Sequence, residues 1–305
     1  MKSDSNHLYE LVHTLTVSEK RYCSLYLKQN AGGTGTRYLQ LFNYLNNEPA
    51  YNGNETMQHL GYSKKPNHYA VLKKQLYEQL LNALHQYALF TEPTQQMLRG
   101  IHQCSVLLKK DLFTQCEKRM AALWKETQAA ESGIGQLQLL DLKMTLISRK
   151  KFRQTSEADL TQWYTDVSTA VAAIENTARY SYLSALIHKI QNEAGAQSIE
   201  MLPKMEKVIN LPEFRNENLA TTIQARIFYH ESHGIFAFYK QELEKSLEHL
   251  GHVLALMEGS HLMNTFASGY RTALFNYLLT CTALKKYDLL LPGLQKLRGL
   301  PGLKA

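Results

Sequence analysis

The chain has 305 residues, 44% of them apolar and 20% charged, with a formal net charge of +7. Those proportions exclude a disordered chain and supply enough apolar side chains for a sizeable core. Seven prolines, and four scattered cysteines (Cys23, Cys104, Cys116, Cys281) with no CxxC spacing, argue for helix with buried, reduced thiols and against a disulfide framework.

Residues 1–6 are polar and lead into no signal-type apolar run, and no stretch approaches the ~20 apolar residues of a membrane span, so the cytoplasm is the expected compartment. Residues 1–93 read as an N-terminal helical module. Thr16-Val17-Ser18-Glu19 is a capping box, and the helix it opens fails at the glycine-rich loop 31–35. A third helix carries Tyr38, Leu41, Phe42 and Leu45; Asn54 is the expected cap of a short helix that Gly61 stops. Tyr69, Leu72, Leu76, Leu80, Ala83, Tyr87 and Phe90 then advance by threes and fours, one stripe of a long α-helix, widened by Leu81 and Leu84.

Residues 94–305 read as helix pairs. A Lys/Tyr/Asp-containing turn recurs at Leu108 to Leu112, Phe238 to Leu243 and Leu284 to Leu289, with a weaker copy at Arg149 to Phe152. The spacing implies units of 41 to 46 residues, with a further turn expected near Gly195 and Ala196. Ser156 to Asp159 is a second capping box, opening a helix through Leu160, Tyr164, Val167, Val171 and Ile174, followed by Tyr182, Leu186 and Ile190. The segment around Pro203 and Pro212 is the least regular. Near the C-terminus, Pro292, Gly293, Gly299, Pro301 and Gly302 are expected to prevent a long regular capping helix and to leave several of Leu289, Leu290, Leu291, Leu294, Leu297, Leu300 and Leu303 exposed. Self-association through that end, or a natural chain that continues beyond Ala305, would cover them. No strand-period alternation appears, and the expected fold is all-α: an α-solenoid of antiparallel helical hairpins behind the N-terminal module.

The stretch from Tyr239 to Leu256 resembles the second helix of a tetratricopeptide repeat, with Ser246, Leu250 and Val253 at its small–apolar–small places, Leu243 before them and Gly234 at the small place of the first helix. His233 stands where a leucine is usual, Val253 is larger than the usual alanine, and no proline closes the unit. Leu15 to Tyr22, followed by Tyr38 to Phe42, is similar to an uncharacterised bacterial family of this helical-repeat architecture. That resemblance implies binding of a protein or peptide on a concave face; it implies no catalytic residue, cofactor or metal.

The surplus positive charge is diffuse, nine Lys/Arg against seven Asp/Glu over residues 1–95 and 25 against 20 beyond. Two sites are nonetheless candidates. Met57 to Lys65, with Gly61 in the turn, resembles a helix-turn-helix in which Lys64, Lys65, Lys73 and Lys74 reach phosphates and His68 or Gln75 reaches base edges. Bulky Met57 and polar Asn67 depart from that motif. His230, His233, His249 and His252 form the second cluster, with His230 and His249 opposite each other across a hairpin. The spacing His230-Glu231-Ser232-His233 is one residue short of HExxH, so no metal is expected. No GxSxG, P-loop or dinucleotide fingerprint occurs. The expectation is a non-enzymatic interaction scaffold, with a DNA-binding transcription regulator as the alternative.

Overall fold

The computed structural model describes residues 6–30, 35–194, 201–260 and 267–300. Among them the chain is all-α: fourteen α-helices, two short 3₁₀ turns and no strand. The expected loop at 31–35 and turn at Gly195–Ala196 fall in or across the segments outside this description, as do Pro301, Gly302 and Leu303.

Two compact units divide at Arg99 and Gly100. The first holds α1 (His7–Thr14), α2 (Val17–Asn30), α3 (Gly35–Asn47), α4 (Gly53–His59) and α5 (Pro66–Thr91). Thr16 and Glu19 close the capping box at the start of α2: the Thr16 amide donates to the Glu19 carboxylate at 2.7 Å and the Glu19 amide to the Thr16 hydroxyl at 3.3 Å. The cap of α4 is Asn52, not Asn54; its side-chain oxygen accepts from the amides of Asn54 and Glu55. One asparagine two residues earlier has the extended backbone a cap requires, and Asn54 already lies inside the helix. Gly61, at φ +72°, ends that helix, with the Tyr62 amide bonded back to the Met57 carbonyl at 2.7 Å. Along α5 the stripe from Tyr69 to Ala83 is buried against the α1–α3 core, but Tyr87 is only half-buried and Phe90 and Leu81 are exposed.

The second unit begins within α6 (Pro93–Lys109) and continues through α7 (Phe113–Ala129), α8 (Gly133–Arg149) and α9 (Glu157–Ala194). Then come α10 (Met201–Ile209), α11 (Ile223–Tyr239), α12 (Leu243–Glu258), α13 (Ala267–Ala283) and α14 (Tyr287–Gly299). One three-residue link recurs between consecutive helices. At residues 110–112, 130–132, 240–242 and 284–286 the middle residue is left-handed (Asp111 φ 58°, Glu131 φ 45°, Gln241 φ 65°, Lys285 φ 56°). The following amide returns to the helix just ended: Leu112 to Leu107, Ser132 to Thr127, Glu242 to Ala237 and Lys286 to Cys281. Each is a Schellman closure built without glycine. The copy at Glu131 carries no Lys/Tyr/Asp signature, so the sequence pattern passes over it. Lys151 takes the same conformation, but Phe152 and Gln154 stay left-handed too and lengthen that link.

Small residues set the approaches between helices. A methyl group at Gly100 would lie 2.6 Å from Leu123, and one at Gly133 2.8 Å from Ile174. Gly234 lies under Leu250, and Ser246, fully buried, donates to the Gly234 carbonyl at 2.8 Å. Two elements depart from the expected regular pairing. α9 runs unbroken for 38 residues, and its C-terminal half buries Tyr180, Leu183 and Ile187 against α10 and α11, leaving Tyr164, Val171 and Tyr182 exposed. The span from Lys151 to Lys240 therefore holds α9, α10 and α11, of 38, 9 and 17 residues, rather than two equal pairs. Pro292 does not prevent a helix: α14 continues through it for 13 residues, and Gly293 lets it press onto Leu278 of α13. The proline falls early in the helix, so only one internal hydrogen bond is lost.

Candidate functional site

An open apolar groove of about 530 Å³ lies between α7, α8 and α9. Its geometry follows from the stripe on α7, where Glu117, Met120, Ala121, Trp124, Lys125 and Gln128 recur at helical spacing. Leu139, Leu140, Leu146 and Ile147 of α8 form the opposite wall. α8 is apolar on more than one side because it packs on both α7 and α9; the Trp163 indole of α9 donates to the Leu140 carbonyl at 2.9 Å and fixes that approach. Polar groups stand on the rim. Lys150 pairs with Glu117 at 2.5 Å, and Asp166 accepts from the Gln162 amide at 2.8 Å. Lys125 and Lys143 have no ion-pair partner among the described residues, although Lys143 is close enough to Asp159 to help hold that carboxyl low. Met120, Trp124, Leu140 and Ile147 are visible in the sequence as helix markers; what is not visible there is that they leave a trough, since periodicity does not distinguish an occupied face from an open one.

The four histidines do come together. Nδ1 of His230 and Nδ1 of His249 are 2.9 Å apart, His230 stacks on His252 at 4.7 Å and His233 on His249 at 5.0 Å. Nε2 of His230 faces the Glu217 carboxylate at 3.2 Å, and Nε2 of His233 faces the Phe214 carbonyl at 3.1 Å. Those acceptors place the proton of each neutral ring on Nε2, so the bare Nδ1 of His230 accepts from the protonated Nδ1 of His249. Burial pushes His230, His233 and His249 below the ordinary histidine value, His249 down to about 4 with help from the charges its neighbours would carry. The cluster is thus a neutral, stacked seam between α11 and α12. Among the described residues no three His, Cys, Asp or Glu side chains converge as a metal would require.

In the first unit, Lys64, Lys65, His68 and Lys74 are exposed at the start of α5, next to a cleft of about 340 Å³ that Arg37, Tyr62, Lys65 and His68 help to line. Lys73 is set apart from them: its ammonium donates to the Tyr51 hydroxyl at 3.2 Å and lies over the Tyr51 and Tyr69 rings. Gln75 accepts from the Tyr38 hydroxyl at 3.0 Å. Met57 is partly buried against the core and Asn67 is exposed.

Comparison with known proteins gives no match: no family model, no curated protein and no solved structure is significantly similar to this chain. No helix among the described residues is long and apolar enough to cross a membrane.

Proposed function

We propose that the chain is a non-enzymatic scaffold of tetratricopeptide-like helical hairpins that holds a segment of a partner protein in the α7–α8–α9 groove. The single observation behind this reading is the open trough between α7, α8 and α9, in which half-buried Trp124 is the accessible large apolar side chain above a base of core residues Met120, Leu139, Leu140, Leu146 and Ile147. The recurrent Schellman links and the small residues Gly234 and Ser246 between paired helices favour the hairpin-array description. A cytoplasmic location goes with this reading.

The test is a random peptide library displayed against the full-length protein, with Ala121→Arg as counter-target. Ala121 is exposed on α7, so the arginine fills the groove without entering the core. Clones that bind the natural chain and lose at least tenfold on the variant are expected; a library yielding none removes the reading.

DNA binding is the second reading, supported by exposed Lys65 and His68 in the cleft that holds the left-handed Gly61 turn, with Lys64 before them and Lys74 further along α5 exposed as well. Retention on duplex DNA that falls steeply with salt and disappears on replacing Lys64, Lys65, Lys73 and Lys74 by alanine would favour it over the scaffold.

A further inference from the structure

We infer that the first unit holds a phosphate monoester of a small polyhydroxylated molecule in the cleft beside the Gly61 turn, its phosphate against Arg37, Lys65 and His68 and its body along α3. The site is separate from the α7–α8–α9 groove and does not depend on the scaffold reading.

The argument for a phosphate is one of unmatched charge. The cleft of about 340 Å³ takes Arg37 from α3, Lys65 from the link before α5 and His68 from the first turn of α5, and no Asp or Glu lines it. All three are exposed, so a ligand reaches them without moving the core. The Arg37 guanidinium donates to the Tyr62 hydroxyl at 3.2 Å, a neutral partner, and lies over that ring at 6.0 Å. The side chains of Lys65 and His68 have no partner among the described residues. α5 adds to the same field. It starts with neither a side-chain cap nor an acidic residue in its first turn, so nothing there offsets the positive end of its dipole. A phosphate monoester brings a charge of about −1.5 to −2 and three acceptor oxygens to a guanidinium, an ammonium and an imidazole, where a carboxylate brings half the charge and two oxygens.

The argument for a hydroxylated body is one of uncharged polar groups. Arg37, Gln40, Asn43 and Asn47 recur by threes and fours as a polar stripe on α3, turned away from buried Tyr38, Leu41 and Leu45. Gln40 and Leu60 line both the basic cleft and a second furrow of about 680 Å³, so the two are continuous; Asn43, Tyr44, Asn47 and His59 line the second. The side-chain amides of Gln40 and Asn43 are exposed and make no hydrogen bond among the described residues. An amide both donates and accepts, and so does a hydroxyl. Glu48 is the one acid lining this furrow, which disfavours a second anionic group on the ligand.

Calorimetric titration of the full chain with ribose phosphate at fixed ionic strength tests this, with ribose, inorganic phosphate and a short DNA duplex as the other arms. Ribose phosphate is expected to bind saturably, inorganic phosphate roughly threefold or more weakly, and ribose not at all. Arg37→Gln and Lys65→Gln are each expected to weaken ribose phosphate about three- to tenfold, and Asn43→Ala about threefold. Lys64→Gln with Lys74→Gln is expected to leave it unchanged, because neither lysine lines the cleft. All of these side chains are exposed, and circular dichroism checks that each variant keeps its helix. No saturable binding of ribose phosphate, or binding that survives Arg37→Gln, overturns the inference. Inorganic phosphate binding as tightly as the ester overturns it as well. Binding of the duplex alone, lost when Lys64 and Lys74 are replaced, overturns it in favour of the DNA reading.

Discussion

A histidine that is neutral in a folded protein and free to take a proton when unfolded makes stability depend on pH. His230, His233 and His249 are all held below the ordinary value, chiefly by burial. The folded chain therefore binds fewer protons than the unfolded one, and their contribution is complete above about pH 6.5 and is lost as the pH falls toward 4. The charged or titratable groups facing them are Glu217, Arg226 and His252; Glu217 favours the protonated rings, while Arg226 and His252 oppose protonation of His230. His188, raised by its bond to Glu231, works in the opposite direction, but it is one group against three. Urea denaturation is expected to show a loss on the order of 1 to 3 kcal/mol between pH 7 and pH 4.5, before the lowered carboxyls of Glu213 and Glu242 are titrated. His249→Asn should flatten that slope. A stability that is level down to pH 5 would show that the seam does not exclude the proton. The links between helices give a second single-residue test. Lys285 holds φ at 56° with a side chain that disfavours it, so Lys285→Gly is expected to raise stability by about 0.5 to 1 kcal/mol, although glycine elsewhere usually lowers it. A destabilised variant would mean that the lysine makes a contact worth more than its backbone strain.

Among the elements, α9 is where periodicity alone misleads most. Its apolar residues suit several stripes: of those read from the sequence, Leu160, Val167, Ile174, Leu186 and Ile190 are partly buried, but Tyr164, Val171 and Tyr182 lie on the outside, 66%, 47% and 55% exposed. The buried face of its second half runs through Tyr180, Leu183 and Ile187 because α10 and α11 pack there, a tertiary choice that a single helix does not encode. Leu183→Ala should therefore cost about 2 to 5 kcal/mol in chemical denaturation and Tyr182→Ala less than about 1 kcal/mol; the reverse ranking would place the face as the sequence suggests. Short-range signals were the legible ones. The two capping boxes, Gly61 and the links at residues 111, 151, 241 and 285 are set by three to six neighbouring residues, and each is present where the sequence puts it. The link at Glu131 is the same structure written in other residues, and Asn52 took the place of Asn54 because two asparagines in a row of loop residues compete for one cap. The histidine approach across α11 and α12 was legible for a similar reason: it needs only the position of the turn and antiparallel register. The groove needed three helices at once and was not.

At the scale of the whole molecule, helix is the only regular structure among the described residues. Far-UV circular dichroism is expected to report helix with negligible strand, and a strand content near the ~20–25% of ordinary globular proteins would contradict the fold. The last helix carries a further consequence. α14 lays Leu290, Leu297 and Leu300 against the core beneath it, while Leu289, Leu291 and Leu294 remain 36%, 65% and 36% exposed, and Tyr287 at its start is 62% exposed. Phe275 and Leu279 of α13 are open as well, at 54% and 46%. Isolated exposed apolar residues are common, but three leucines and a tyrosine on one helix make a surface that water covers at a cost, and the diffuse net charge of +7 is a weak barrier to two copies meeting there. Sedimentation velocity is expected to show association that grows with protein concentration. Leu291→Lys combined with Leu294→Lys should shift it toward monomer without loss of helicity, because neither side chain is part of the core. A natural chain that sediments as a monomer at every concentration reached, with α14 exchanging its amide hydrogens no faster than α13, would mean that this face is already covered and that its leucines attract nothing.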